Sequence, residues 1–434
     1  MRAMTEYVGK PMTRYDGIGH VTARTTYVDD IQKPGMLYIK VLTSPVHKGR
    51  IRRLDVSAAE KKAGVAGVLT AKDVMGANAY GLIADQPVFT PENIRYKGER
   101  IAAVAAVDED TAVEAVEKIK LEIEEQTPVF DPYEAMKPGA PLVRPEGNVF
   151  QFDSGPTRKI RLGDVEKGFQ EADYIVEGKY TNTMNEHAPM EPQVSVAYIE
   201  ESDRLAIHTV SQDLYFHLGM LAAVFNLPMN KIRYIGGTVG GGFGAKNDIH
   251  CDHVAGLMAL KVRKPVKYAL TREEETLYTT KRGAWYFTFK DGVKKDGRIV
   301  ARQVTTLHDT GGYSGMGPYV VDKNAILIGG PFFIPHIWID GTCVYTNKPP
   351  ASSMRGFGVI NGTSAEQLQM DRIAETIGMD PWGIRFINAW RDGDLGATQF
   401  QVVAAGLIEA MKRAAELAGV KLPAHLQAMS SRGR

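Results

Sequence analysis

Apolar and charged residues alternate along "KIKLEIEEQ", a period of two that predicts a half-buried strand. Just before it, "DEDTAVEAVEKI" changes to helical spacing, with Asp108 standing where an N-cap is wanted. "GMLYIKVLTS" and "GVAGVLT" are apolar runs of strand length. Strands and helices therefore mix through the first 135 residues. From Asp131 to Pro156 the pattern dissolves into Pro, Gly and polar residues with no period. That predicts a long connection and a domain boundary, with a linker over 136–156.

Regular patterning returns over 157–434. "GDVEKGFQEA" predicts a short helix, and "YIVEGKYTNT", "QVSVAYIE" and "RLAIHTV" predict successive strands. "DLYFHLGMLAAVFNL" places Leu214, Leu218, Leu221, Ala222 and Phe225 on one helical stripe. "KIRYIGG" is a strand running into a glycine-dense loop, "NDIHCDHVAGLMALKV" the helix leaving it, and "PVKYALTREEE" the next strand. "AEQLQMDRIAETIG" and "AAGLIEAMKRAAELAG" predict amphipathic helices, followed by a polar tail. The fold class is α+β, with several sheets and no internal repeat.

The chain has 434 residues, enough for two to four domains, and a net charge of +1. That balance gives no general attraction to nucleic acid or to an anionic membrane. No apolar run predicts a membrane span, and the start, "MRAMTEYVGKPMTRYDG", has no apolar core of a secretory signal. A cytoplasmic protein is expected. Only Cys251 and Cys343 occur, too few for a four-thiolate iron–sulfur cluster or a disulfide framework.

The loop "GGTVGGGFGAK", Gly236 to Lys246, is the strongest local signal. Ordering so many glycines costs much chain entropy, which a tight turn alone does not explain. Gly240-Gly241-Gly242-Phe243-Gly244-Ala245 fits G-x-G-x-x-A, yet Glu273 lies more than thirty residues past Gly240, too far for a ribose-binding acid. A Walker loop fails, because Lys246 follows Ala245 and precedes Asn247. A structural turn, a nucleotide, or another flat or anionic ligand on bare backbone amides remain open on the loop alone. "HCDH" puts His250 and His253 three apart, a spacing that permits joint metal ligation, although packing is the expected role. In "EHAPMEP" the prolines Pro189 and Pro192 argue against a helix, so His187 and Glu191 are expected to be structural and to line the site.

Two more elements narrow the choice. Gln212 stands between a strand and a helix in "HTVSQDLYFHL", and Arg355-Gly356-Phe357-Gly358 precedes another helix in "ASSMRGFGVINGTSAEQ". "EHAPMEPQ", Gln212, "GGGFGAK" and "MRGFG", in that order, resemble the molybdopterin-binding subunits of the molybdenum hydroxylases, the xanthine dehydrogenase and aldehyde oxidase family. The resemblance covers nearly the whole chain. It implies a hammerhead α/β domain over 1–135 and the first half of a molybdopterin-binding domain over 157–434.

The resemblance also assigns roles. Gln212 would lie beside the metal's oxo ligand, Gly241, Gly242, Phe243 and Gly244 against the cofactor, and Arg355 near the pterin dithiolene. Molybdenum would be held through that dithiolene, with no protein ligand. Phe357 is expected to wall a ring substrate. Asn247 stands where purine-oxidising members carry a glutamate, which makes xanthine a less apt substrate, and Lys323 is placed to neutralise a substrate carboxylate.

The family's catalytic base is a glutamate in a later Gly-Glu loop that this chain does not contain. The resemblance therefore implies either a fragment or a molybdenum subunit split between two chains, as in nicotinate-hydroxylating members. A second molybdopterin subunit would carry the base, and separate subunits would carry iron–sulfur clusters and FAD, linking the enzyme to NAD(P). The cofactor implied is molybdopterin, in its cytosine dinucleotide form, with a terminal sulfido or selenido ligand. The reaction implied is hydroxylation of an N-heteroaromatic ring with oxygen from water, nicotinate to 6-hydroxynicotinate first. The alternatives are purine or aromatic aldehyde hydroxylation, or a non-catalytic nucleotide-binding or assembly role.

Overall fold

The computed structural model describes residues 8–432, so the first seven residues, part of the stretch inspected for a signal, lie outside the described residues. A seven-stranded sheet runs in the spatial order Ile232–Gly236, Leu205–Thr209, Val194–Ile199, Val266–Ala269, Leu37–Thr43, Arg100–Ala106, Val65–Thr70. Three of its strands precede the 136–156 connection and four follow it. They join where Leu37 pairs in parallel with Val266. The strand Arg100–Ala106 is buried at every position, which explains its unbroken run of small apolar residues.

Helix Asp252–Val262 crosses this sheet and is buried along Asp252–Ala259, so after the polar Asp252 and His253 its residues are apolar on all sides rather than striped. With helix Leu214–Phe225 it forms a core of Leu221, Phe225, Val254, Leu257 and Met258 against Tyr268 and Ile207. The buried positions of Leu214–Phe225 are His217, Leu221, Val224 and Phe225. The predicted stripe is thus shifted, because His217 turns inward to hydrogen-bond partners at the glycine loop.

A second sheet has the order Arg158–Leu162, His336–Tyr345, Ile299–Gly311, Trp285–Val293, Tyr174–Asn182. Trp285, Phe287 and Phe289 alternate inward along their strand and meet Ile339, Met370 and Ile373. Helices Gly317–Leu327 and Val359–Ile377 pack on this unit. Inside it Arg302 is fully buried, donating to Asp291 Oδ1 at 2.7 Å, while Gln369 donates to Asp291 Oδ2 at 2.8 Å. Arg302→Met is expected to destabilise the fold by about 3–5 kcal/mol, because it strands a buried carboxylate. Urea unfolding checks this; an unchanged midpoint would show that the network contributes nothing.

Three expectations change in detail. The helix after the glycine loop begins at Asp252 rather than near Asn247, because Ala245–Asn247 closes one tight 3-10 turn first. "TREEE" is not strand: Thr271 and Glu274 form a reciprocal capping box that starts helix Arg272–Tyr278. The polar tail contains a short helix, Ala424–Ala428, whose Leu426 packs with Phe386 and Ile408. Among the described residues no helix is long and apolar enough to cross a membrane.

Candidate functional site

Strands Leu205–Thr209 and Ile232–Gly236 are parallel neighbours, so their carboxyl ends open on the same edge of the first sheet. Gln212 leaves one end and the glycine loop leaves the other. A bound group sits readily at such an edge, beyond the ends of parallel strands. Here the second unit supplies the facing wall, the loop that leads into helix Val359–Ile377.

The two loops are tied together. Arg355 N–H donates to Phe243 O at 2.8 Å, and Asn247 Nδ2 donates to Ser353 Oγ at 3.1 Å. His187 Nε2 bonds Ser353 O at 2.7 Å. His217 Nε2 bonds Asn247 O at 2.9 Å. Arg282 donates to Asn361 Oδ1 at 2.8 Å and to Arg355 O at 2.7 Å, so helix and loop share one clamp. Between the loops lies an open cleft of about 250 Å³, lined by Gln212, Phe243, Gly244, Asn247, Ser353, Met354, Arg355, Gly356 and Phe357.

Gln212 is held at two points. Its backbone N–H donates to Lys246 O at 2.8 Å, and its Oε1 accepts from Gly244 N–H at 3.0 Å. With Oε1 occupied, the Nε2 amide is the free end at the cleft, a donor without a protein acceptor among the described residues. A Cβ at Gly242 would lie 2.3 Å from Gln212 Oε1 and would push that amide out of its present position. Gly244 has φ of +102°, and a Cβ would come within 2.7 Å of Ser353 O.

Phe243 and Phe357, each followed by a glycine, both adopt left-handed backbone, with φ of +54° and +46°. Such geometry costs about 1–3 kcal/mol per residue and persists only where surroundings enforce it. Phe243 is 46% exposed and Phe357 half-buried, so both rings border the cleft without filling it. Arg355 is exposed at its rim and makes no ion pair among the described residues.

Of the residues singled out from sequence, the structure thus brings Gln212, Phe243, Gly244, Asn247, Arg355 and Phe357 together. Gly241 and Gly242 lie behind them in the loop. Lys323 is exposed on helix Gly317–Leu327 and is not among the lining residues, although its neighbour Asn324 donates to Gly358 O at 2.9 Å. His250 and His253 have different partners: His250 Nε2 lies 3.5 Å from Thr280 Oγ1. His253 bonds buried Arg100 at 2.9 Å and meets the Tyr80 ring edge-on, and no cluster of three metal-ligating side chains exists among the described residues. His187 and Glu191 lie in a non-helical segment beside the site, as the prolines predict. Ser353, Met354 and His217 lie inside the same sequence stretches as Arg355 and Gln212 but carry no separate signal of their own. Arg282 had none.

Behind the glycine loop is a buried charged layer. Lys246 Nζ pairs with Glu191 at 2.7 Å, and burial lowers the lysine's pKa. Glu275 is fully buried beside Arg272, and burial pushes its carboxyl up to about 7. A carboxyl raised in the folded state binds its proton more tightly there than unfolded, so it costs stability as pH rises from about 4.5 to 7. Glu275→Gln is therefore expected to flatten the decline in unfolding temperature over that range. An identical slope in wild type and variant would contradict the assignment.

A donor amide, side-chain-free backbone, two bordering rings and a free guanidinium fit a flat, oxygen-bearing anionic cofactor. Comparison with known proteins agrees. The profile of the molybdopterin cofactor-binding domain matches residues 145–389, and that of the aldehyde oxidase and xanthine dehydrogenase a/b hammerhead domain matches 22–127. The chain is 34% identical to the nicotinate dehydrogenase large molybdopterin subunit of Eubacterium barkeri, over 95% of this chain and 96% of that one. It is 36% identical to a probable xanthine dehydrogenase subunit of Bacillus subtilis, over 91% of this chain but 53% of that one. The aldehyde oxidoreductase structure from Desulfovibrio gigas superposes with a TM-score of 0.89 at 30% identity, covering 93% of this chain and 46% of that one. The chain thus spans nearly all of the first relative and about half of the other two. It belongs to the aldehyde oxidase and xanthine dehydrogenase family of molybdenum enzymes, as a molybdopterin-binding subunit.

Proposed function

We propose that this subunit works in a split hydroxylase that oxidises an electron-poor N-heteroaromatic carboxylate, nicotinate first, to the 6-hydroxy acid. The observation that carries the reading is Gln212, whose Nε2 donor is fixed at a cleft between two Phe-Gly turns. Bound there, the molybdenum cofactor would supply the electron-pair acceptor and deliver oxygen derived from water. The chain's own residues do the rest. Gln212 would donate to an oxygen of the group, the bare backbone at Gly244, backed by Gly241 and Gly242, would let it approach, and Arg355 would offset its negative charge. Phe243 and Phe357 exclude water from the ring's flanks and set its plane.

None of the side chains lining the cleft is a carboxylate or an imidazole, so a general base would come from outside this chain. A second molybdopterin subunit carrying a glutamate would close the open side, where Tyr215 and Phe216 are exposed beside Gln212. Both cysteines are buried, so thiolate-held iron–sulfur clusters would sit on further subunits; FAD on another subunit and a cytoplasmic location belong to the same proposal. The cytosine dinucleotide form of the pterin and a terminal sulfido or selenido ligand belong to the same proposal.

Asn247 and Lys323 bear on substrate choice. Asn247 Nδ2 donates to Ser353 Oγ, and an amide, unlike a carboxyl group, cannot take up and release a proton as an anchor for a purine. Lys323, on the helix that backs the Phe357 turn, is proposed to meet a substrate carboxylate from the open side. Turnover of nicotinate, xanthine and benzaldehyde by the native complex tests this. Nicotinate is expected to lead, and Lys323→Ala is expected to raise its KM about tenfold while leaving benzaldehyde unaffected. Faster xanthine turnover would overturn the substrate assignment.

A further inference from the structure

The pair Glu191–Lys246, in the buried layer behind the glycine loop, has unusual connections. One oxygen, Glu191 Oε2, accepts from Gly240 N–H at 2.7 Å and from Lys246 Nζ at 2.7 Å. A single atom thus joins the entrance of the glycine loop to its exit. The same segment grips the loop twice more, through Glu191 N–H to Gly240 O at 3.1 Å and Gln193 Nε2 to Ala245 O at 3.2 Å. Gly240 is glycine for this reason, since a Cβ there would lie 2.6 Å from Glu191 Cβ.

Lys246 faces two ways. Its ammonium is buried against Glu191, and its carbonyl accepts the backbone N–H of Gln212. Its turn also carries Gly244, whose N–H holds Gln212 Oε1 at 3.0 Å. Both tethers of Gln212 therefore end on the short turn that Glu191 fastens from behind. Arg272 in turn fixes the gripping segment, donating to Met190 O at 3.1 Å and also to Pro189 O.

We propose that Glu191 and Lys246 are positioning residues: their buried pair sets the placement of the Gln212 amide and of the glycine edge, without touching substrate. The proposal rests on the reading of the cleft as a cofactor site and adds to it the element that holds its key donor in place. Misplacing a reacting contact by about 1 Å can cost a hundredfold in rate, and residues that support a metal site from behind typically account for about 10–100-fold.

The test uses the complete complex with Glu191→Gln, which keeps an acceptor for Gly240 N–H, Lys246→Met, and the pair of changes together. Three quantities are read for each: molybdenum per chain, kcat and KM for the best substrate, and the electron paramagnetic resonance spectrum of the partly reduced metal. The expected result is molybdenum within about twofold of wild type, kcat lower by roughly 10–100-fold, KM nearly unchanged and an altered spectrum. The double variant removes the uncompensated charge, so it is expected to recover stability without recovering kcat. Variants that load metal and keep wild-type kcat and spectrum would overturn the proposal. So would variants whose activity falls only in proportion to lost folded chain, because the pair would then be structural alone. A wild-type complex without molybdenum would instead defeat the cofactor reading itself.

Discussion

Gly244→Ala, purified with its partner chains, is expected to hold about a tenth or less of the wild-type molybdenum while its unfolding temperature falls by only a few degrees. Two effects combine at this position. The residue sits at φ of +102°, where a Cβ brings about 1–3 kcal/mol of backbone strain. The same Cβ would also meet Ser353 O at 2.7 Å and Met354 Cα at 2.9 Å, the backbone of the opposite loop. Relief requires the two walls to part, which breaks the Arg355-to-Phe243 bond and releases Gln212 Oε1 from Gly244. Gly393→Ala separates the two causes. It has a φ of +97° but nothing within 4 Å of its added Cβ, so it suffers strain alone and is expected to keep its molybdenum. Equal metal content in both variants would show that the close approach of the loops is irrelevant to cofactor binding.

Gln212→Ala is expected to lower kcat/KM by about 10²–10³, equivalent to about 2.7–4 kcal/mol, with molybdenum content largely kept. The loss follows from removing a fixed donor at the cleft, where closure by the proposed partner chain would exclude water and make each hydrogen bond count for more. Gln212→Glu is the sharper variant. Its carboxylate can still accept from Gly244 N–H and so keep the turn in place, but it presents an acceptor where the amide presented a donor. Its activity is expected to fall at least as far as that of the alanine variant. Near wild-type turnover with Glu at this position would show that the free Nε2 has no part in the reaction.

Much of this site is legible in the sequence. The glycine loop demands a close approach, and Gln212 and Arg355 stand at strand-to-helix and loop-to-helix junctions where polar side chains reach a ligand. Local signals fail where distant residues decide the outcome. Nothing near Arg282 announces that it joins Asn361 to the Arg355 loop, since that contact spans 73–79 residues of chain. Sequence reasoning also missed the central strands of the second sheet, although the alternation along Trp285–Val293 was there to be seen. The 136–156 break is a change of sequence pattern, and the first sheet takes strands from both sides of it. What it could not reveal is the pairing of Leu37 with Val266, which depends on tertiary contact and not on local sequence. His253 has the spacing of a metal ligand and proves to be a partner for a buried guanidinium, a role that only packing could disclose.

Metal analysis of the complex isolated natively with its partner chains tests most directly whether this cleft holds a molybdenum cofactor. About one molybdenum per chain is expected, together with the iron and flavin proposed for the partner chains. A complex that carries its iron and flavin in full but no molybdenum would contradict the cofactor assignment.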